Sequence, residues 1–141
     1  MTATRVLLFK SYFNPTNESA LKKILLVDDS SLLRNNLKKI LVSIPNLKLV
    51  GEAVDSDSAI RLNNELKPDI IVLDIDLLQG NGIEVLTRIK NEQHLPIIIM
   101  FTNYSESAFR KATTKLGANY FFDKSDDING LIEVLKNLSA S

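Results

Sequence analysis

Short runs of residues that are apolar at every position alternate along this chain with longer segments of helical spacing. Runs of this kind are typical of strands that are buried on both faces. Such strands belong to parallel sheets covered by helices, because parallel strands are joined by crossover helices. The runs are Ile24–Val27, Ile70–Leu73, Ile97–Phe101 and Tyr120–Phe122. A fifth segment, Leu47–Ala53, contains two charged residues, so we expect it at a sheet edge.

Five other segments carry apolar residues every three or four positions, which predicts five helices. Pro45 would end the first helix, and Gly117 would form the left-handed cap after the fourth. Gly80-Asn81-Gly82 reads as a turn into the third helix rather than as a phosphate-binding loop. The repeated strand-helix order predicts a doubly wound α/β sandwich with right-handed crossovers. The helical segments are Leu33–Ile44, Ala59–Leu66, Ile83–Ile89, Ala108–Leu116 and Ile128–Leu138.

Composition excludes several classes of function. The chain has 141 residues, which corresponds to one domain, and its 17 basic and 17 acidic residues balance. A net charge of zero argues against direct nucleic-acid binding. Cysteine is absent, so disulfides and thiolate metal sites are excluded. No apolar run approaches the roughly 18 residues of a membrane span, so we expect a cytoplasmic protein without membrane contact.

The first 22 residues differ from the rest of the chain. They contain one apolar cluster, Val6–Phe9, and then a turn-like Asn-Pro-Thr-Asn segment. Terminal segments that are not tied to a sheet usually fray. We therefore expect a loose or disordered extension over residues 1–22 and a folded domain over residues 23–141.

Polar side chains stand directly after the buried runs. The carboxyl ends of parallel strands meet at one edge of an open α/β sheet, and ligands bind there. A single aspartate after a strand is ordinary turn chemistry, but five groups of complementary type favour a functional site. We therefore expect three carboxylates, one hydroxyl and one ammonium group to converge. They belong to Asp28, Asp29, Asp74, Thr102 and Lys124.

Three neighbouring carboxylates repel, and without a cation one of them would keep its proton. Mg²⁺ suits such a site because it takes one or two carboxylates and keeps positions for water and a phosphate oxygen. A carboxylate beside Mg²⁺ and a lysine is a candidate nucleophile toward phosphorus, since aspartyl phosphate is a known covalent intermediate. The pattern predicts phosphoryl transfer, which needs mainly positioning and charge neutralisation.

The four strand-end motifs are ILLVDDS, IIVLDIDLLQGNGIEVL, IIIMFTN and GANYFFDKS. In this order they resemble the receiver domain of bacterial two-component response regulators, over about residues 22–138. The resemblance implies a flavodoxin-like, five-stranded parallel sheet of order 2-1-3-4-5 flanked by five helices. It also implies a phosphorelay switch that accepts a phosphoryl group and catalyses only its own phosphorylation and dephosphorylation.

The resemblance assigns a role to each of the five strand-end residues. Asp74 resembles the phosphoacceptor. Thr102 and Lys124 resemble the two residues that contact the phosphoryl group. Asp28 and Asp29 resemble the acidic pair that holds Mg²⁺ together with Asp74, Asp29 directly and Asp28 more through water.

The resemblance implies further roles near this site. The backbone carbonyl of Asp76 would be another Mg²⁺ ligand. Thr102 and Phe121 would be the switch residues, and the side chains of Asp76 and Tyr104 would tune the lifetime of the phosphorylated state. Partners would read a surface formed by the fourth helix, the fifth strand and the fifth helix. Its residues would be Phe109, Lys111, Lys115, Phe121 and the exposed side of Asn129–Asn137.

Two features depart from the family pattern, and one residue stands outside it. Ser125 replaces the cis-proline that usually follows the lysine, and the extension before the first strand is longer than usual. His94 is the only histidine, so it makes no metal site, and we expect it to be exposed and inert.

The expected partners are a histidine kinase or phosphotransfer protein and, downstream, a protein partner or an output domain beyond Ser141. The domain would be a monomer or a phosphorylation-dependent dimer.

Two other functions remain open on the sequence. A haloacid-dehalogenase type phosphatase also uses Asp-x-Asp, then a threonine, then a lysine, as in Asp74-Ile-Asp76, Thr102 and Lys124. That family lacks an upstream acidic pair, and this chain lacks room for its cap. A degenerate receiver that binds partners without phosphorylation is the least favoured, because all five key positions are filled.

Overall fold

The computed structural model describes residues 21–141, in which strands and helices alternate strictly. The strands are β1 (Lys22–Val27), β2 (Leu47–Ala53), β3 (Ile70–Leu73), β4 (Ile97–Thr102) and β5 (Tyr120–Asp123). The helices are α1 (Ser31–Val42), α2 (Ser56–Leu66), α3 (Gly82–Ile89), α4 (Ser107–Lys115) and α5 (Ile128–Ala140). The predicted extension falls almost entirely on residues outside this range. β1 begins at Lys22, one residue before the predicted start of the folded domain.

The five strands form one parallel sheet in the order β2-β1-β3-β4-β5, which confirms the predicted 2-1-3-4-5 topology. Side chains alternate between the two faces of each strand, so each strand contributes to two cores. Leu25 and Val27 of β1 pack with α2 and α3, whereas Ile24 and Leu26 pack with α1 and α5. The sheet is therefore covered on both faces, as the fully apolar runs predicted.

The two edge strands differ in how well they were predicted. β2 lies at one edge, as its charged residues indicated. β5 lies at the other edge, and the expectation that Tyr120–Phe122 is buried on both faces is wrong. Tyr120 is exposed, and Phe121 and Phe122 are only half-buried, because β5 has a neighbouring strand on one side only.

Local sequence sets most helix ends. The side chains of Asp55, Asn81 and Asp127 each accept a hydrogen bond from a backbone N–H in the first turn, of α2, α3 and α5 respectively. Gly117 follows α4 with a φ of +106°, in the region that favours glycine. Within residues 21–141 no helix is both long enough and apolar enough to cross a membrane.

The strand register brings the site residues to one level. Val27 pairs with Leu73, and Leu73 pairs with Met100, so β1 and β3 end side by side. The Asp74 amide donates to the Val27 carbonyl at 2.9 Å, and the Asp28 amide donates to a β2 carbonyl at 3.0 Å. Parallel pairing therefore fixes the backbone of both aspartates independently of their side-chain contacts.

Candidate functional site

A cavity of about 400 Å³ opens at the carboxyl edge of the sheet. Loops after β1, β3, β4 and β5 surround it, as expected for an open parallel sheet. The residues that line it are Asp29, Ser30, Leu32, Leu33, Asn36, Asp74, Asp76, Asn103, Tyr104 and Lys124. Three of the five predicted convergent residues therefore line one cavity, and the other two, Asp28 and Thr102, are buried and do not line it.

Asp74 has both carboxylate oxygens engaged. Its Oδ2 accepts a hydrogen bond from Lys124 Nζ at 2.7 Å, and its Oδ1 accepts one from the Asp76 amide at 3.3 Å. The residue is 4% exposed, yet it lines the cavity. A buried carboxylate that faces a cavity and is oriented on both oxygens is suited to act as a nucleophile.

Lys124 pairs with two aspartates at once. Its Nζ lies 2.7 Å from Asp28 Oδ2 and 2.7 Å from Asp74 Oδ2, and its side chain is 13% exposed. Burial alone would lower the pKa of Lys124, but the hydrogen bonds to the two aspartates outweigh burial and raise it. The ammonium group therefore stays charged and is the cation that keeps two neighbouring carboxylates together.

Lys124 also bears on the predicted repulsion among the three carboxylates. We expected that three crowded carboxylates would need a metal ion or a retained proton. Lys124 supplies positive charge to two of them, so the repulsion is partly relieved by the protein itself. Asp29 is the one of the three that remains exposed to solvent.

Asp28 is held from four directions. Its amide donates to the Ala53 carbonyl, and its own carbonyl accepts from Arg34 at 2.7 Å. Its Oδ1 accepts from the Ser30 amide at 2.9 Å, and its Oδ2 faces Lys124. Burial raises the pKa of Asp28, and the opposing effects of Lys124 and the Ser30 amide do not offset it.

The acidic cluster has the composition of a divalent-cation site. Asp28, Asp29 and Asp74 each offer a carboxylate oxygen, and these oxygens lie within 4.8 Å of one another. Oxygen-only donor sets suit hard cations such as Mg²⁺. The cavity beside them leaves space for water and for a phosphate group. The residues present therefore fit Mg²⁺.

Thr102 and Lys124 are linked through the backbone. Thr102 is fully buried at the end of β4, and its carbonyl accepts a hydrogen bond from the Lys124 amide at 3.0 Å. Its hydroxyl accepts from the Tyr104 amide at 3.2 Å, and the residue does not line the cavity. Tyr104 does line the cavity, is 41% exposed, and packs edge-on against the Phe109 ring at 5.4 Å between centroids.

Ser125 occupies the loop in a way that proline would not. The described residues contain no cis peptide bond. The Ser125 amide donates to Asp123 Oδ1 at 2.8 Å, which requires an N–H that proline lacks. The Ser125 hydroxyl donates to Asn103 Oδ1 at 3.1 Å. The Ser125 hydroxyl thus joins the loops after β4 and β5 beside Lys124, at the position where the family usually has a proline.

The predicted switch aromatic is half-buried under α4. Phe121 packs against the core cluster that contains Met100, and the Arg110 guanidinium lies 4.6 Å from its ring centroid. Lys111 and Lys115 are exposed on α4.

Gly82 shows why the loop after β3 needs a glycine. A Cβ at this position would collide with the backbone carbonyl of Asp74 and lie 2.9 Å from the Ile75 Cα. The Gly82 amide donates to the Ile75 carbonyl at 2.8 Å. The turn into α3 therefore has a structural role, as predicted, and it packs directly beneath Asp74.

Several residues around the site were not predicted from the sequence. Arg34, which holds the Asp28 carbonyl, carries no motif signal, although its place one turn after the Ser30 N-cap puts it above the loop. Leu32 and Asn36 line the cavity from α1, and neither was singled out.

His94 is also less inert than expected. It is half-buried, its Nε2 contacts the Pro68 carbonyl, and its own carbonyl accepts from Asn63 Nδ2 at 3.2 Å. It ties the end of α2 to the loop before β4, on the side of the sheet away from the cavity.

Comparison with known families gives one match over most of the chain. A family model described as the response regulator receiver domain matches residues 24–136. A protein-glutamate methylesterase/protein-glutamine glutaminase from Halalkalibacterium halodurans is 38% identical over 103 residues, covering 72% of this chain and 30% of that protein. The transcriptional regulatory protein YdfI of Bacillus subtilis is 35% identical over 104 residues, covering 74% of this chain and 48% of that protein. The chain thus spans less than half the length of these two relatives.

Solved structures agree with this match. The response regulator domain of Thermotoga maritima CheB superposes with a TM-score of 0.74 at 32% identity, covering 85% of this chain and 94% of that one. A LuxR-family two-component response regulator from Aurantimonas sp. SI85-9A1 gives a TM-score of 0.78 at 32% identity, covering 85% and 86%.

The ion pairs of Lys124 with Asp28 and Asp74 predict a loss of stability when the lysine is removed. Lys124→Met would leave two buried carboxylates without their cation, which should lower the free energy of unfolding by about 3 kcal/mol at pH 7 without metal. MgCl₂ should restore part of this loss, because a divalent cation replaces the missing charge. Urea unfolding in EDTA and in MgCl₂ measures both effects. Lys39→Met, which changes an exposed lysine of α1, is the matched control.

The same variant should show a defined pH dependence. The pKa of Asp28 is already raised by burial, and without Lys124 it loses a group that lowers it. A carboxyl group whose pKa is higher in the folded than in the unfolded protein lowers the free energy of unfolding as the pH rises above the unfolded-state pKa near 4. This effect vanishes below that pH. The deficit of Lys124→Met should therefore shrink between pH 7 and pH 4. A stability loss that grows on acidification would contradict the ion pairing of Lys124 with Asp28 and Asp74.

Proposed function

The chain belongs to the response regulator receiver domain family, and we propose that it is a phosphorylation-activated switch whose phosphoacceptor is Asp74. One observation carries this proposal: a buried, doubly oriented carboxylate faces a cavity beside an ammonium group and two further carboxylates. Each of these groups corresponds to a step that phosphoryl transfer requires, namely attack, charge neutralisation and cation binding.

The proposed step is transfer from a phosphohistidine. One carboxylate oxygen of Asp74 forms a bond to phosphorus while the bond from the imidazole nitrogen to phosphorus breaks. The imidazole keeps the electron pair and takes up a proton from solvent. Lys124 already lies 2.7 Å from Asp74, so a small movement of its ammonium group places it on a phosphoryl oxygen.

Asp28, Asp29 and Asp74, with the backbone carbonyl of Asp76, would hold Mg²⁺. Bound there, Mg²⁺ would supply positive charge that neutralises phosphoryl oxygens. Asp29 is the exposed member of the cluster, and its carboxylate would bind the ion directly.

On this proposal the domain is a switch rather than a turnover enzyme. It catalyses only its own phosphorylation and dephosphorylation, and it acts in the cytoplasm, where the donor is a histidine kinase or phosphotransfer protein. The output passes to a protein partner or to an output domain attached to the same chain. The family match favours this proposal over the phosphatase alternative that the sequence left open.

The acceptor can be tested directly. Acetyl phosphate with MgCl₂ should add one base-labile phosphoryl group to the wild type, and Asp74→Asn should abolish it because the amide is not a nucleophile. Intact-protein mass spectrometry measures both. Asp57→Asn, an exposed position on α2, is the matched control and should label normally. Equal labelling of Asp74→Asn would overturn the assignment, and steady release of phosphate from a phosphate ester would favour the phosphatase.

Tyr104 is proposed to lengthen the life of the phosphorylated state. Tyr104 lines the same cavity as Asp74, and its ring packs against the Phe109 ring. The Asp76 side chain is exposed at the same cavity, where its charge would repel hydroxide. Both groups would slow hydrolysis, Tyr104 by covering the site and Asp76 by charge.

The decay rate tests this shielding. Tyr104→Ala should lose its phosphoryl group several times faster than the wild type in MgCl₂, where each tenfold corresponds to about 1.4 kcal/mol of barrier. Tyr120→Ala, which removes a similarly exposed ring distant from the cavity, should decay at the wild-type rate. Unchanged or slower decay in Tyr104→Ala would show that Tyr104 only packs on α4.

The output surface is proposed to be α4, β5 and α5. Thr102 would move toward the phosphoryl group, and this breaks the hydrogen bond that its hydroxyl accepts from Tyr104. Phe121 would then turn inward, away from the Arg110 guanidinium that now covers its ring. A ligand shifts such an equilibrium only by its different affinity for the two states.

Amide chemical shifts test this route. Phosphorylation should shift amides of α4, β5 and α5, and Phe121→Ala should reduce the shifts beyond Phe121 while leaving phosphorylation of Asp74 intact. The measurement is a pair of two-dimensional NMR spectra with and without a phosphodonor. Shifts restricted to α1 and α2 would refute the proposed surface.

A further inference from the structure

Arg34 makes a contact that none of the proposed roles uses. It lies in the first turn of α1, and its side chain is 15% exposed. One guanidinium nitrogen donates to the Asp28 carbonyl at 2.7 Å, and Nε donates to Glu52 Oε1 at 2.8 Å. The planar fork of arginine thus joins the loop after β1 to the end of β2.

The Asp28 carbonyl is a sensitive point for this contact. It belongs to the peptide group that joins Asp28 to Asp29, and this group is a rigid plane. Fixing its oxygen therefore fixes the direction of the Asp29 N–H and the start of the Asp29 residue. Asp28 itself is already held by Ala53, Ser30 and Lys124, whereas Asp29 is exposed.

Arg34 is in turn held by an ion pair with Glu52. Glu52 accepts from Arg34 on one oxygen and from Lys38 Nζ on the other, each at 2.8 Å. Burial alone would raise the pKa of Glu52, but these two cations outweigh it and lower the pKa. The carboxylate therefore stays charged, and it lies next to Ala53, the residue that accepts from the Asp28 amide.

From this geometry we infer that Arg34 is a positioning residue for the divalent-cation site: it orients the Asp28–Asp29 peptide group and thereby aims the Asp29 carboxylate at the ion. The inference rests on the proposed function, because it requires that Asp29 binds the cation. Glu52 acts behind Arg34 as its anchor.

The charge of Arg34 and its positioning role predict opposite changes in Mg²⁺ affinity when the residue is removed. Arg34 carries a positive charge near a cation site, so removing that charge would by itself strengthen cation binding. Loss of orientation would weaken it. The sign of the change in Mg²⁺ affinity therefore separates a positioning role from a purely electrostatic one, and a purely structural role would change stability without changing affinity.

The experiment is an NMR titration of the labelled, unphosphorylated chain with MgCl₂, followed at the Asp29 and Ser30 amides. Arg34→Met should weaken Mg²⁺ binding about tenfold, the usual scale for losing a group that orients a metal ligand. Lys38→Met, which removes the other cation from Glu52, is the matched control and should stay within about twofold of the wild type.

Each outcome has a separate meaning. Unchanged or tighter Mg²⁺ binding in Arg34→Met overturns the positioning role, whereas a wild type that does not bind Mg²⁺ overturns the proposed function instead. Arg34→Lys should restore only part of the affinity, since one ammonium group does not reproduce the fork. If Arg34→Met does not fold, Glu52→Gln should weaken binding about threefold by loosening the anchor, and no change there overturns the inference.

Discussion

The ammonium group of Lys124 is the interaction on which the site depends. It lies 2.7 Å from a carboxylate oxygen of Asp28 and of Asp74, and all three side chains are nearly buried. Two buried carboxylates side by side would otherwise repel strongly, and one would be driven to its protonated form. The lysine thus supplies the positive charge that holds these two carboxylates together.

The backbone carries this dependence into the rest of the sheet. The Lys124 amide donates to the Thr102 carbonyl, and β5, which leads into Lys124, pairs only with β4. β5 is an edge strand with half-buried aromatic residues, so fewer neighbours constrain it than constrain the central strands. A change in the partners of Lys124 would therefore be felt first in β5 and in Phe121. On the proposed function, this would connect phosphorylation of Asp74 with the proposed output surface.

The loops around the cavity show how substitutions outside the family pattern are accommodated. Ser125 replaces a proline, and its N–H and hydroxyl are both used, by Asp123 and Asn103. Hydrogen bonds from Ser105 and from the Ser125 amide lower the pKa of Asp123, so this carboxylate stays charged beside the site. The Ser125 N–H thus fixes the loop after β5, and its hydroxyl joins this loop to the loop after β4.

The order of elements and the candidate residues were readable from the sequence, because fully apolar runs and helical spacing report local periodicity and because polar residues at strand ends must share one edge. On that basis Asp28, Asp29, Asp74 and Lys124 were expected to converge, and they do, whereas Thr102 is joined to Lys124 through the backbone and does not line the cavity. Only the tertiary structure decided which of them touch. Lys124 lies 50 residues from Asp74, and Arg34 reaches both the Asp28 carbonyl and Glu52. Such pairings depend on strand register and on the angle at which α1 crosses the sheet, and neither leaves a periodic trace in the sequence.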